Sequence, residues 1–204
     1  MAFLAGLPTI SRYRLLDSPK ELTDEFVQSK LTKNAFVDIE RLAEEESLGW
    51  VEIFNPLNTA FTPESFNFGG FLAFQARLDS RRLSGKTLRR YYLLKEAEVI
   101  AQTGRKPSSQ KKRELMGSLK QDLLRRALLN TDLLEIIWFP TVREIWIGGA
   151  GEKKRLIFEE LWEKSFGLPV RLLVPITLGF EMIPQELGEA LLKAQASDLW
   201  GEDE

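Results

Sequence analysis

Leu72-Ala73-Phe74-Gln75-Ala76-Arg77-Leu78-Asp79-Ser80-Arg81-Arg82-Leu83-Ser84-Gly85-Lys86 is the stretch where one periodicity gives way to another. Leu72, Phe74 and Ala76 alternate with Ala73, Gln75 and Arg77, so a strand with one apolar face leaves the core as a run of cations begins. Past Ser84-Gly85, the recurrence of Leu88, Tyr92, Ala97, Val99 and Ile100 predicts a long helix closed by Gly104 and Pro107. A second helix is predicted from Ser108-Ser109, with Leu115, Met116, Leu119, Leu123 and Ala127 on one face. Residues 81–129 therefore read as a helical-hairpin arm, and 1–80 with 130–204 as the core it is inserted into.

Charge sets the arm apart. Arg77, Arg81, Arg82, Lys86, Arg89, Arg90, Lys95, Arg105, Lys106, Lys111, Lys112, Arg113, Lys120, Arg125 and Arg126 stand against five acids, a net of +10, while the rest of the chain carries −12. Two such poles in a chain of net charge −2 point to a polyanion-binding face or to an electrostatic contact between subunits. The plainer reading is a pair of solvated helix faces. Helices of about 20 residues are roughly 30 Å long, enough to lie along a duplex. These fifteen are the candidate DNA-binding residues. Arg126, close to the Leu115, Leu119 and Leu123 face, is equally a candidate for pairing with an acid inside the fold.

With no cysteine and no histidine, disulfides, thiolate chemistry, Ser-His and Cys-His triads and Cys/His zinc sites are excluded. Carboxylate chemistry with Mg²⁺ survives, with Asp38, Glu40, Glu44 and Asp79 as candidates, but their spacing does not stand out from surface acids. No catalytic residue, metal site or cofactor is expected. The start, Met1 to Pro8, lacks a signal peptide's basic and apolar regions, and no apolar run approaches the ~18 residues of a membrane span. A soluble, intracellular protein is the expectation.

Elsewhere, β-branched and aromatic residues predict a strand within Phe3–Leu16, and Ser18-Pro19 a turn. Phe26, Val27, Leu31 and Ala35 predict a helix opened by Pro19, and Gly49–Phe54 a short strand before a loop running to Pro63. Phe66, Phe68, Phe71 and Phe74, interrupted by Gly69-Gly70, read as a bent buried strand and mainly core; a base-stacking platform is the functional alternative. Leu133–Phe139 and Glu144–Ile147 form a predicted hairpin around Pro140-Thr141. Gly148-Gly149-Ala150-Gly151 lacks the P-loop spacing and reads as a turn into a helix. A strand Val170–Leu178 broken by Pro175, a helix from Pro184 and an acidic tail, Asp198–Glu204, finish the chain. The sum is an α+β fold: a mostly antiparallel sheet with packed helices and an inserted basic hairpin.

Several short stretches resemble the recombination-associated protein RdgC family. Gly49-Trp50-Val51 resembles its early Gly-Trp-Val, and the strand ending at Arg77 followed by a basic helical pair matches in order and length. Leu123-Leu124-Arg125-Arg126-Ala127-Leu128 is similar to its Leu-Leu-Pro-Arg-Ala-Phe, with Arg126 at the arginine and with Arg125 and Leu128 departing from the pattern. Trp138 and Leu168-Pro169-Val170 sit like that family's tryptophan and Leu-Pro-Val. The chain resembles the N-terminal part of a typical member, so one of the two family dimer contacts, and ring closure with it, is what that departure bears on. The resemblance implies a homodimer that binds duplex DNA with little sequence preference and restrains recombinase filaments. Our reading is thus a non-enzymatic, sequence-nonspecific DNA-binding protein that modulates recombination. Trp162 or the acidic tail would contribute to self-association. The alternative is a protein-interaction module whose basic arm binds acidic protein surfaces, and a metal-dependent nuclease comes third.

Overall fold

The computed structural model describes residues 9–17, 19, 21–40, 42, 44–149 and 151–193. Six strands form one antiparallel sheet: β1 (Ile10–Leu15), β2 (Glu46–Val51), β3 (Leu72–Ser80), β4 (Asn130–Phe139), β5 (Glu144–Gly148) and β6 (Val170–Leu173), in the spatial order β2-β3-β4-β5-β1-β6. The helices are α1 (Asp24–Lys33), the single turn α2 (Pro63–Phe66), α3 (Gly85–Thr103), α4 (Ser109–Arg126), α5 (Glu152–Phe166), α6 (Pro175–Met182) and, after a 3₁₀ turn at Gln185–Leu187, α7 (Gly188–Lys193). The α+β class with an antiparallel sheet is the one expected. Among the described residues no helix is long and apolar enough to cross a membrane.

One face of the sheet is dry, because alternate residues of each strand point to it. Tyr13, Leu15, Trp50, Leu72, Phe74, Ala76, Leu134, Ile136, Trp138, Ile145 and Ile147 meet Val27 and Leu31 of α1 and Phe158, Leu161, Trp162 and Phe166 of α5. Aromatic rings fill the middle: Trp138 meets Trp162 edge-on at 5.1 Å, and Trp162 stacks on Phe166 at 4.4 Å. Trp138 Nε1 has no hydrogen-bond partner among the described residues, but the polar tips of three other core rings are satisfied. Trp50 Nε1 donates to Ser165 Oγ at 2.7 Å, Trp162 Nε1 to the Leu168 carbonyl at 3.0 Å, and the Tyr13 hydroxyl to Glu159 at 2.6 Å. Burial, and then that bond to Glu159, pushes the Tyr13 hydroxyl pKa well up.

The glycine of Gly49-Trp50-Val51 has a steric origin. Chain 34–36 runs along the free edge of β2, with Phe36 N donating to the Trp50 carbonyl at 3.0 Å and Trp50 N to that of Asn34 at 2.9 Å. A Cβ on Gly49 would lie 2.4 Å from Phe36 Cα, so any side chain there collides with backbone.

Several expectations change. Thr23, not Pro19, opens α1: its hydroxyl accepts from Phe26 N, while Asp24 and Glu25 occupy the first turn. Phe66 belongs to α2, the chain turns at Gly69 (φ 80°), and β3 begins only at Leu72. The four phenylalanines divide accordingly: Phe66 and Phe74 are fully buried, whereas Phe68 is exposed and Phe71 half-buried on the opposite side of the sheet. The strand predicted to Leu178 stops at Leu173, since Pro175 starts α6. Trp162 lies in the core, fully buried, and is withdrawn as a subunit contact. The acidic tail, Met1–Pro8, Ser18 and Ala150 lie outside the described residues.

Candidate nucleic-acid interface

The arm is an insertion in a hairpin. Ser80 and Asn130 are paired at the last rung of the β3–β4 ladder, where a two-residue turn would suffice, and the chain instead runs out through α3 and back through α4. Local chemistry explains each end. Ser84 Oγ accepts from Thr87 N at 3.0 Å, Gly104 takes the left-handed conformation (φ 69°) that ends α3, and Ser108 Oγ accepts from Lys111 N at 3.3 Å to start α4. The two helices pack on one another, with Tyr92, Leu119 and Leu124 buried. Ala127, expected on the α4 apolar face, is the C-cap and ends that helix.

The fifteen candidate cations have three different fates. Arg82, Lys86, Arg89 and Arg90 at the root of α3, Arg105, Lys106 and Arg113 toward the tip, and Arg125 and Arg126 at the end of α4 are exposed and form no ion pair among the described residues. Arg126 thus faces solvent, not an internal acid. Lys95, Lys111 and Lys120 are exposed but paired, with Glu98 at 2.7 Å, Glu114 at 3.3 Å and Glu45 respectively, and Lys112 lies 5.2 Å over the Tyr92 ring.

Arg77 and Arg81 belong to the fold. Arg77 makes a two-pronged bond to Asp79 at 3.0 and 2.6 Å, donates to the Pro56 carbonyl and covers the Phe36 ring at 4.3 Å. Its bond to Asp79 raises its pKa further. Arg81, 4% exposed, donates to the carbonyls of Leu42 and Glu40 and clamps the segment that leads into β2. Sequence periodicity alone does not separate these two from surface cations, because both follow the alternation of β3 into its sheltered end.

The root cations and the tip cations form two clusters, since α3 runs outward and α4 returns. Both helices begin with basic residues and carry no acid in the first turn. Cations at a helix start oppose the macrodipole, typically by 0.3–1 kcal/mol at exposed sites, so an anion bound there relieves two costs at once.

The second face of the sheet carries features that charge counting overlooks. Arg12 and Arg14 of β1 meet Glu144 of β5, and Arg14 and Arg171 meet Glu181 of α6. Although burial opposes it, the bonds from Trp146 Nε1, Arg12 and Arg14 hold the Glu144 pKa below the usual carboxylate range. Beside this network Phe54, Phe68, Phe71, Phe139 and Trp146 form a row of contacting rings. The alternation of Arg12 and Arg14 with Tyr13 and Leu15 is the sequence signal for that second face.

A family model described as "Putative exonuclease, RdgC" matches residues 9–177, from the start of β1 into α6. The chain belongs to the RdgC family. No curated protein matches it. Sheet and arm alike fall inside the match, so the two cation clusters are features of the RdgC part of the chain. The carboxylates considered for nuclease chemistry are partly brought together: Asp38, Glu40 and Asp79 line a cleft of about 480 Å³ with Arg77, without Glu44. Among the described residues no three acids are grouped to hold a metal ion, and Asp79 is fully buried against Arg77.

Proposed function

We propose that this RdgC-family chain is a non-enzymatic protein that binds duplex DNA through phosphate contacts from the two cation clusters of the α3–α4 arm. The observation that carries the reading is the pair of clusters itself: nine exposed cations, unpaired among the described residues, gathered at the root and tip of a hairpin of one 19-residue and one 18-residue helix. Arginine predominates among them, suited to two-pronged contact with phosphate oxygens. Helix sides that present charge and no shaped set of base-reading groups give affinity without sequence preference. Residues 81–129 act as an arm separate in function from the core of 1–80 and 130–204.

Two copies acting together extend this reading. Tyr91, Leu93 and Leu94 are exposed on the outer side of α3, and a second copy covers them. Such a dimer on duplex DNA, in the nucleoid of the cytoplasm, obstructs recombinase filaments and so modulates recombination. Retention on duplex DNA of unrelated sequences, measured across a salt series, tests the binding; incubation of linear DNA with Mg²⁺ tests the non-enzymatic part, which digestion would refute. Retention on acidic proteins in place of DNA would favour the interaction-module reading.

A further inference from the structure

On the sheet face away from the core, Ile53, Phe54, Phe68, Phe71, Ala73 and Ile137 wall an apolar cavity of about 250 Å³. Glu135 also lines it but is only 3% exposed, so the surface offered to solvent is hydrocarbon. Phe54 and Phe68 stand open, at 56% and 38% exposure. Phe68 stacks on Phe71 at 5.4 Å and Phe54 meets Phe68 edge-on at 5.9 Å, a preformed wall for one more ring. The volume lies below the roughly 300–1,000 Å³ of sites for drug-sized ligands, which suits a single side chain. Cations border this pocket. Ile137, Trp146 and Arg12 are neighbours in one row across β4, β5 and β1, which puts Arg12 about 10 Å from the pocket wall at about 4.8 Å per strand. Arg14 and Arg171 share the next row with Glu144, and Arg143 stands in the turn before it. Glu144 and Glu181 are the acids paired with this group, two against four arginines.

We propose that this pocket takes Trp200 of the chain's own acidic tail, with Asp198, Glu202, Asp203 and Glu204 set against the bordering arginines. The tail is the chemical complement of the site: from Asp198 to Glu204 it holds one indole beside Leu199, four carboxylates and no cation. It also starts from the same face. Glu181 of α6 bonds to Arg14 and Arg171 on that side of the sheet, and Leu191 of α7 lies against Gly179 of α6, so the chain passes Lys193 close to the β6 edge of this face. The pocket is three strand spacings away, from β6 to β4, or about 14 Å. Trp200 follows Lys193 by seven residues, a reach of up to about 24 Å, so the span is covered. Gly201 then lets the chain turn back, which returns the three acids after it toward Arg12. Burial of an aromatic anchor in a desolvated pocket with charges at the rim is the usual division of labour at a protein contact. The proposal is independent of duplex binding by the arm.

Fluorine NMR of the full chain labelled with fluorotryptophan reads the site directly. Of the five tryptophans, Trp50, Trp138 and Trp162 are fully buried and Trp146 half-buried, and Trp200→Phe assigns the remaining signal. That signal is expected to be displaced from its position in a labelled synthetic peptide of residues 194–204. Phe54→Ala, at a ring more than half exposed, is expected to return it toward the peptide position with thermal melting unchanged. Phe68→Ala repeats the test at the second open ring, in case the first variant does not fold. Salt at about 1 M, where the screening length is about 3 Å, is expected to move the signal part of the way; a signal that ignores salt overturns the pairing with the arginines. A displacement that vanishes on dilution assigns the pocket to a second copy's tail and overturns docking within one chain. Trp200 at the free-peptide position, or a displaced signal untouched by both ring substitutions, overturns the proposal.

Discussion

Reversing Arg89, Arg90, Lys111 and Lys112 to glutamate tests phosphate binding by the arm directly. At 1.5 Å per residue the 18 residues of α4 span about 27 Å, so root and tip clusters fall about eight phosphates apart along one strand at 3.4 Å per phosphate. If about six phosphates are engaged, log K falls with log salt at a slope near −5, from −0.9 per phosphate. Between 50 and 200 mM salt that is a loss of about 10³-fold. Arg89 and Arg90 are unpaired whereas Lys111 meets Glu114 and Lys112 the Tyr92 ring, so removing two to four of the six contacts leaves a slope between about −4 and −2 and a loss between about 10²-fold and tenfold over the same range. The arm itself is expected to stay helical. Ser84 and Ser108 still cap it, and glutamates in place of Lys111 and Lys112 suit the start of α4 better than lysines. Fluorescence anisotropy with a labelled duplex at several salt concentrations, alongside circular dichroism, reads both quantities. A variant that keeps its fold, its affinity and its slope would falsify the duplex-binding reading. Singly, Arg89, Arg90 or Arg113 to alanine should each flatten the slope by about one unit where it touches a phosphate, for every sequence alike. Lys95 and Lys120, already paired with Glu98 and Glu45, should change it less.

Arg77→Ala strands the fully buried Asp79 carboxylate, and a loss of about 3–5 kcal/mol in denaturant unfolding is expected, with the salt slope of DNA binding unchanged. Phe74→Ala should cost about 3–5 kcal/mol because the ring is fully buried between Trp50 and Phe166, while Phe68→Ala, at an exposed ring, should cost under about 1 kcal/mol; equal costs would contradict the division of the aromatic run across the sheet. Gly49→Ala forces a Cβ into the Phe36 backbone, and about 3 kcal/mol, the upper end of ordinary overpacking, is expected from its thermal or denaturant midpoint. Glu144 has a lowered folded pKa, so the stability it contributes is present above the unfolded carboxylate value near 4.3 and is lost as pH falls through the folded value. Glu144→Gln should therefore flatten the acid limb of stability against pH, and an unchanged limb would show that Arg12 and Arg14 are not its partners in solution.

Much of the architecture is local in origin and was legible without coordinates. Alternation in Leu72–Arg77, the Ser84-Gly85 and Ser108 starts, the Gly104 stop and the Pro140-Thr141 turn each depend on neighbours within a few residues. Strand, arm and hairpin follow from them. The aromatic run was harder, because phenylalanine is favoured equally in a core and on a half-open sheet face; the turn at Gly69 and the helical turn at Pro63–Phe66 place Phe66 and Phe74 on one side and Phe68 and Phe71 on the other.

Sequence by itself determined the element types, the insertion of a basic arm between two strands and the excess of positive charge along it, since composition and short-range spacing carry that information. Tertiary structure alone decided which cations are free. Arg77 and Arg81 are indistinguishable from Arg89 and Arg90 as letters, yet the first two are tied to Asp79 and to the Leu42 and Glu40 carbonyls, up to 41 residues away along the chain. Glu135, unremarkable in a strand, becomes the floor of an aromatic pocket only because the chain around Ile53, Phe54, Phe68 and Phe71 is folded over it. Partners distant in sequence set the burial and pairing of a charge, and with them its chemistry, whereas helices, strands and turns are written mostly in neighbours.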